Sequence, residues 1–239
     1  MAILQKTDSF LGRYKRIVPA LKITRPLFVG AFYLCLLFTA LILIVSLILL
    51  FVRVSPEKML LPPDMVAVKD ATGLITSYKL ELGNGVGVTC AAADITLGHI
   101  KLVIYAKLLL GAVALVCLAP IFRFISLAFK NVASGNVFDE QNAKYINYCG
   151  VLIMAGSFLY TAFENIFNYA QINKFVTNAD VHFVFELNWF GIIMGLFVVV
   201  IGTIYGYTCS VAAEKIKEAE KEKAQSIVPA PEDDAEDEG

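Results

Sequence analysis

The sequence predicts an all-α membrane protein: four transmembrane helices with a small β-rich extracytoplasmic loop between helices one and two. Three observations predict it. Of 239 residues, 58% are hydrophobic and 17% charged, with mean hydropathy +0.69; soluble domains carry about 25% charged residues. Four segments, at about 27–52, 102–122, 146–167 and 187–211, each hold the roughly 20 apolar residues a helix needs to cross about 30 Å of hydrocarbon. The long polar loop 53–101 alternates apolar and polar residues in its middle.

Residues 1–26 form a basic N-terminus: Lys6, Arg13, Lys15, Arg16, Lys22 and Arg25 face one acid, Asp8. Ile3, Phe10, Tyr14, Ile17 and Leu21 share a helical face, so part of this stretch is expected on the membrane surface. The positive-inside rule makes this end cytoplasmic. The apolar run that follows is too long for a signal peptide and lacks a small-x-small cleavage site, so it reads as a retained first helix.

In the outer loop, Leu74, Thr76, Tyr78, Leu80 and Leu82 alternate with Ile75, Ser77, Lys79 and Glu81 up to the turn Gly83-Asn84-Gly85. A two-residue turn would scatter the apolar groups. A three-residue loop sets Leu82 opposite Val86, Leu80 opposite Val88 and Tyr78 opposite Cys90, which is the preferred register. Met65 to Lys69 adds a third strand through Asp70-Ala71-Thr72-Gly73. Such a sheet needs the helix ends beneath it.

The second span contains Pro120, expected to kink it, and continues as an amphipathic stretch to Ala133. The cytoplasmic connector then turns the chain. Gly135 suits a left-handed C-cap, Asp139 suits the N-cap of the next helix, and Phe138 sits just outside it. Arg123, Lys130 and Lys144 agree with the cytoplasmic side, and Trp189 anchors the outer end of the fourth span. The resulting domains are 1–26, the transmembrane unit 27–211, and 212–239, a cytoplasmic charged helix and disordered acidic tail. Six acids in that tail mask a net +5 elsewhere, within a total of −1.

Ser134-Gly135-Asn136-Val137-Phe138-Asp139-Glu140-Gln141-Asn142-Ala143, then Tyr145-Ile146 and Gly150, resembles the signature of a bacterial four-helix integral membrane family of unknown function, with a G-x-x-F-x-x-x-N connector between helices two and three. The resemblance covers Arg123 to Gly150 closely and the four-span layout loosely. It implies Gly135, Phe138, Asp139 and Asn142 as the connector positions. Family members are often encoded beside helix-turn-helix regulators, which implies a regulatory role in the membrane.

Two further features stand out. Gly191, Gly195, Gly202 and Gly206 fall within about a 60° arc of one helix face. They fit either packing against a neighbour in the bundle or a homodimer seam. Lys107 and Glu164 are the charges deepest in apolar segments, and antiparallel neighbours would bring them to similar depth as an ion pair. The alternative is that Lys107 snorkels and Glu164 bonds locally.

His99 and His182 lie near outer interfaces, with only Asp94 and Asp180 as nearby acids, so no metal site and no cofactor are expected. Five cysteines without a C-x-x-C read as packing residues. No H-E-x-x-H, G-x-S-x-G or Walker sequence occurs, so no enzyme is expected. The reading is a non-catalytic interaction or regulatory module in the cytoplasmic membrane. Its expected partners are the lipid bilayer and a protein or a second copy, and not nucleic acid. The alternative is a small transporter or channel subunit using Lys107 and Glu164.

Overall fold

A computed structural model describes residues 2–53, 61–62, 64–82, 86–175 and 185–226. Four helices carry the chain: α1 (Ala2–Phe51), α2 (Leu97–Ala133), α3 (Glu140–Phe175) and α4 (Trp189–Ser226). All four are long and apolar enough to cross a membrane. Each runs beyond its expected span because the polar residues at the span ends continue the same helix. The basic start is part of the 50-residue α1, which carries Pro19 and Pro26 within it, and the charged stretch after residue 211 is part of α4. Pro120 likewise lies inside a continuous α2. The start of α2 is fixed by Thr96, whose amide donates to His99 Nδ1 at 3.0 Å.

The helices pack in chain order as a row: α1 on α2, α2 on α3, α3 on α4, with no comparable contact between α1 and α4. That order leaves α1 and α4 at the edges. Leu37, Leu41 and Leu47 of α1 and Ile193, Phe197 and Ile204 of α4 are all exposed in the isolated chain. Such an apolar surface suits lipid rather than water.

Strands β1 (Met65–Lys69), β2 (Ile75–Leu82) and β3 (Val86–Ala91) form an antiparallel sheet in the order β1-β2-β3. Its register pairs Leu82 with Val86, Leu80 with Val88 and Tyr78 with Cys90, as the three-residue loop requires. The turn residues 83–85 themselves lie outside the described residues. One expectation fails at the other end of β2. Leu74 and Thr76 are exposed, and Ile75 packs against the core instead. The cause is a bulge: Val68 pairs with Ser77 and Lys69 with Ile75, so Thr76 is skipped and the alternation changes phase.

The densest core lies under this sheet. Met65, Tyr78 and Leu80 pack on Ile95, Ile100 and Val103, with Ile172 and Phe175 closing from α3. Cys90 Sγ reaches the Phe175 carbonyl at 3.6 Å. Burial, and secondarily the Asp94 charge, pushes the Cys90 thiol above its ordinary pKa and so disfavours the thiolate.

Candidate functional site

The connector closes by saturating its own backbone. At the end of α2, Gly135 adopts a φ of 95°, in the left-handed region that a Cβ disfavours. Its amide donates to the Val132 carbonyl at 3.1 Å and the Asn136 amide to the Asn131 carbonyl at 3.0 Å. This is the Schellman pattern that occupies helix-end carbonyls. Asp139 then caps α3, its Oδ1 accepting from the Gln141 amide at 2.9 Å. Asn142 is 1% exposed and its Nδ2 donates to the Asn136 carbonyl at 2.9 Å. The seven-residue spacing from Gly135 to Asn142 thus has a physical meaning. The glycine ends one helix, and the asparagine, on the first turn of the next, ties back to the intervening link. Phe138 stays half-exposed.

Two α4 residues complete this knot: Tyr205, which the sequence reading did not single out, and Cys209, which it took only as a packing cysteine. The Tyr205 hydroxyl donates to the Val137 carbonyl, and the fully buried Cys209 places Sγ 4.0 Å from the Asp139 carbonyl oxygen. Their signal was faint: Cys209 extends the stripe Gly202–Gly206 by three residues, and Tyr205 borders it.

The glycine stripe faces α3. A Cβ on Gly206 would meet Ala143 Cβ at 3.2 Å; those on Gly202, Gly195 and Gly191 would collide with Asn147, Met154 and Ser157. From the α3 side, a Cβ on Gly150 would lie 2.6 Å from Val199 Cγ2 and 2.7 Å from the Gly195 carbonyl oxygen. Of the two readings of the stripe, packing within the chain is therefore the one the structure takes, and α3 occupies the face a homodimer seam would need. Gly150, quoted above only as part of the connector signature, is the counterpart the stripe required.

Lys107 and Glu164 are not partners. The Lys107 amine pairs with Asp64, in the segment leading into β1, and both side chains are partly exposed. Because the sheet core packs on Ile100 and Val103, the loop brings its own acid to the next turn of α2. Glu164 points elsewhere, to a polar cavity of about 160 Å³ shared with Thr161, Asn165, Asn168 and Asn188. There Asn165 Nδ2 donates to the carbonyls of Thr161 at 2.9 Å and Glu186 at 2.7 Å, pinning the segment before α4 onto α3.

His99 is engaged structurally, through Thr96 and by its ring 5.0 Å from that of Phe175. His182 and Asp180 lie outside the described residues. Among the described residues no group of three His, Cys, Asp or Glu could hold a metal ion. No family model, curated protein or solved structure matches the chain.

Proposed function

We propose that this is a non-catalytic, multi-pass protein of the cytoplasmic membrane, with both termini inside, that acts as an interaction or regulatory module for a protein partner. One observation carries the reading: the sheet presents apolar groups away from its own core. Val66 and Val68 on β1 are 52% and 41% exposed, and Leu74 beside them is 68% exposed. Among the described residues β1 pairs only with β2, so its other edge can take an added strand. The glycine stripe is spent on α3, so among the described residues the sheet is the surface fitted for a partner.

The transporter reading has less to stand on. It began from Lys107 and Glu164 as a pair, and these now belong to separate clusters. A row of helices also encloses no lumen, whereas a pathway needs polar groups in continuous depth.

A photo-crosslinker placed in turn at Val66 and Val68, and at the exposed Glu218 of α4 as a control, tests the assignment in intact cells. Adducts to one partner from the two valines, and none from Glu218, are expected. A stoichiometric preparation holding lipid alone, with no adduct at Val66 or Val68, removes the partner reading. Orientation is tested separately: a reporter fused at Asn136 should stay cytoplasmic, and its appearance outside reverses the topology.

A further inference from the structure

At the connector end, α1 and α2 separate around a cavity of about 500 Å³, within the size range of small-ligand sites. Lys22 and Arg25 reach it from α1 and Lys130 from α2, all three exposed. Among the described residues no carboxylate forms an ion pair with any of them. Pro26, Val29 and Ala133 supply an apolar wall.

The cations are not consumed by the nearby end of α2. There the Lys130 carbonyl already accepts from the Ser134 amide at 3.0 Å and the Ser134 hydroxyl at 2.9 Å, and the next two carbonyls are taken by Asn136 and Gly135. Below the cavity the Phe28 ring packs on Phe129 at 5.3 Å and Phe122 at 6.0 Å, and Arg123 lies over Phe32 at 5.8 Å. This aromatic layer packs α1 on α2 on the apolar-band side of the cavity. The apolar run of α1 begins at Leu27, two residues after Arg25, so the three cations sit at the level where a bilayer places its phosphates.

We infer that this cavity is a binding site for the phosphate of an anionic phospholipid headgroup, held by Lys22, Arg25 and Lys130 with the glycerol and first methylenes against Pro26 and Val29. Three cations around one opening suit a phosphate oxyanion. The apolar wall favours an esterified phosphate over a free ion. The site does not depend on the protein partner proposed above, and its test leaves that reading untouched.

The test uses the full chain in neutral detergent. Phosphatidylglycerol, phosphatidylcholine and soluble glycerol 3-phosphate are titrated against it, with bound lipid counted by native mass spectrometry. One retained phosphatidylglycerol per chain is expected, bound at least tenfold more tightly than phosphatidylcholine and weakened by added salt. Lys22→Gln, Arg25→Gln and Lys130→Gln should each lower retention about fivefold, while Lys69→Gln on the sheet leaves it unchanged. Equal retention of the two lipids by the wild-type chain overturns the proposal without reference to any variant. So does undiminished binding by the triple variant. Displacement of the lipid by glycerol 3-phosphate at equal concentration keeps an anion site but overturns the lipid as its source.

Discussion

Between α3 and α4, backbone approaches backbone at Gly150 and Gly195. Between α1 and α2 the contacts run through side chains: Phe28 against Phe122 and Phe129, and Tyr105 reaching across to the Ser46 carbonyl at 2.8 Å. Lipid tails are as apolar as leucine, so burial alone gives one helix little reason to prefer another. The two pairs answer that problem differently. Glycine lets α3 and α4 gain close dispersion contacts along the stripe from Gly191 to Gly206. Aromatic spacers let α1 and α2 associate while keeping a cavity of about 500 Å³ at one end. One half of the molecule is a sealed seam and the other an open clamp.

Adding a single methyl group gives the largest expected contrast. Gly150→Ala puts a Cβ within 2.8 Å of the Val199 amide and 2.7 Å of the Gly195 carbonyl oxygen, backbone atoms that cannot rotate away. A loss of about 2 kcal/mol is expected, within the usual cost of overpacking. Gly111→Ala meets only Ile42 Cδ1 at 3.7 Å, an ordinary contact, and Gly30→Ala meets nothing within 4 Å. Those two should be neutral or gain up to about 1 kcal/mol from helix propensity. Reversible unfolding in bicelles measures all three. Equal losses at Gly111 and Gly150 would erase the distinction between seam and clamp.

Two tyrosines sharpen it at the next level. Tyr205→Phe strips the donor from Val137, whose carbonyl lies in the non-helical link, so a loss of about 1–3 kcal/mol is expected. Tyr105→Phe removes a donor from Ser46, but that carbonyl lies inside α1 and keeps its helical amide, so the loss should stay under about 1 kcal/mol. The same unfolding assay reads both; the reverse order would make the clamp the more tightly determined half.

How much of this was legible in the sequence depended on whether the signal was local. The spans, the three strands and the register of β2 on β3 follow from periodicity and turn length, both of which act within a few residues. So do Gly135 and Asp139, because caps are decided by the backbone conformation of their own positions. The stripe on α4 was legible as a stripe, but its partner was not, since a face of small residues fits any helix of matching relief. Only the surroundings of Gly150 show that α3 fills it. The connector contacts of Tyr205 and Cys209 escaped notice because their targets are carbonyls about 70 positions away. The Lys107 error has the same root: depth along a helix ranked Glu164 as its partner, yet the sheet carries Asp64 down to α2.

That ion pair provides a smaller test. Lys107 and Asp64 are partly exposed, so their coupling should be about 0.2–1 kcal/mol in a double-mutant cycle of Lys107→Met with Asp64→Asn. Lys107→Met with Glu164→Gln should show no coupling beyond error. A coupling confined to Glu164 would restore the intramembrane pair and with it the case for a polar pathway.

The smallest effect lies outside both helix pairs, at Asp70, and serves as their control. Its Oδ1 accepts from the Thr72 hydroxyl at 2.6 Å, the Thr72 amide at 2.8 Å and the Leu74 amide at 3.0 Å. These bonds, the Thr72 hydroxyl foremost, hold its carboxyl below the ordinary value of 3.8. A depressed carboxylate pKa means the unfolded chain takes up the proton first. The turn's contribution is therefore complete above the ordinary value and fades as pH falls through the lower, folded one. Because Asp70 is fully solvent-exposed, the effect should be confined to its own turn. Amide exchange at Leu74, corrected for its intrinsic rate, should rise across that acid window in the wild-type chain and stay flat in Asp70→Asn. The Gly150–Gly195 approach involves no carboxylate and should hold through the same window. If the Leu74 and Gly195 amides loosen together, the sheet is not a separate unit resting on the helix ends, and the seam and clamp could not be compared independently of it.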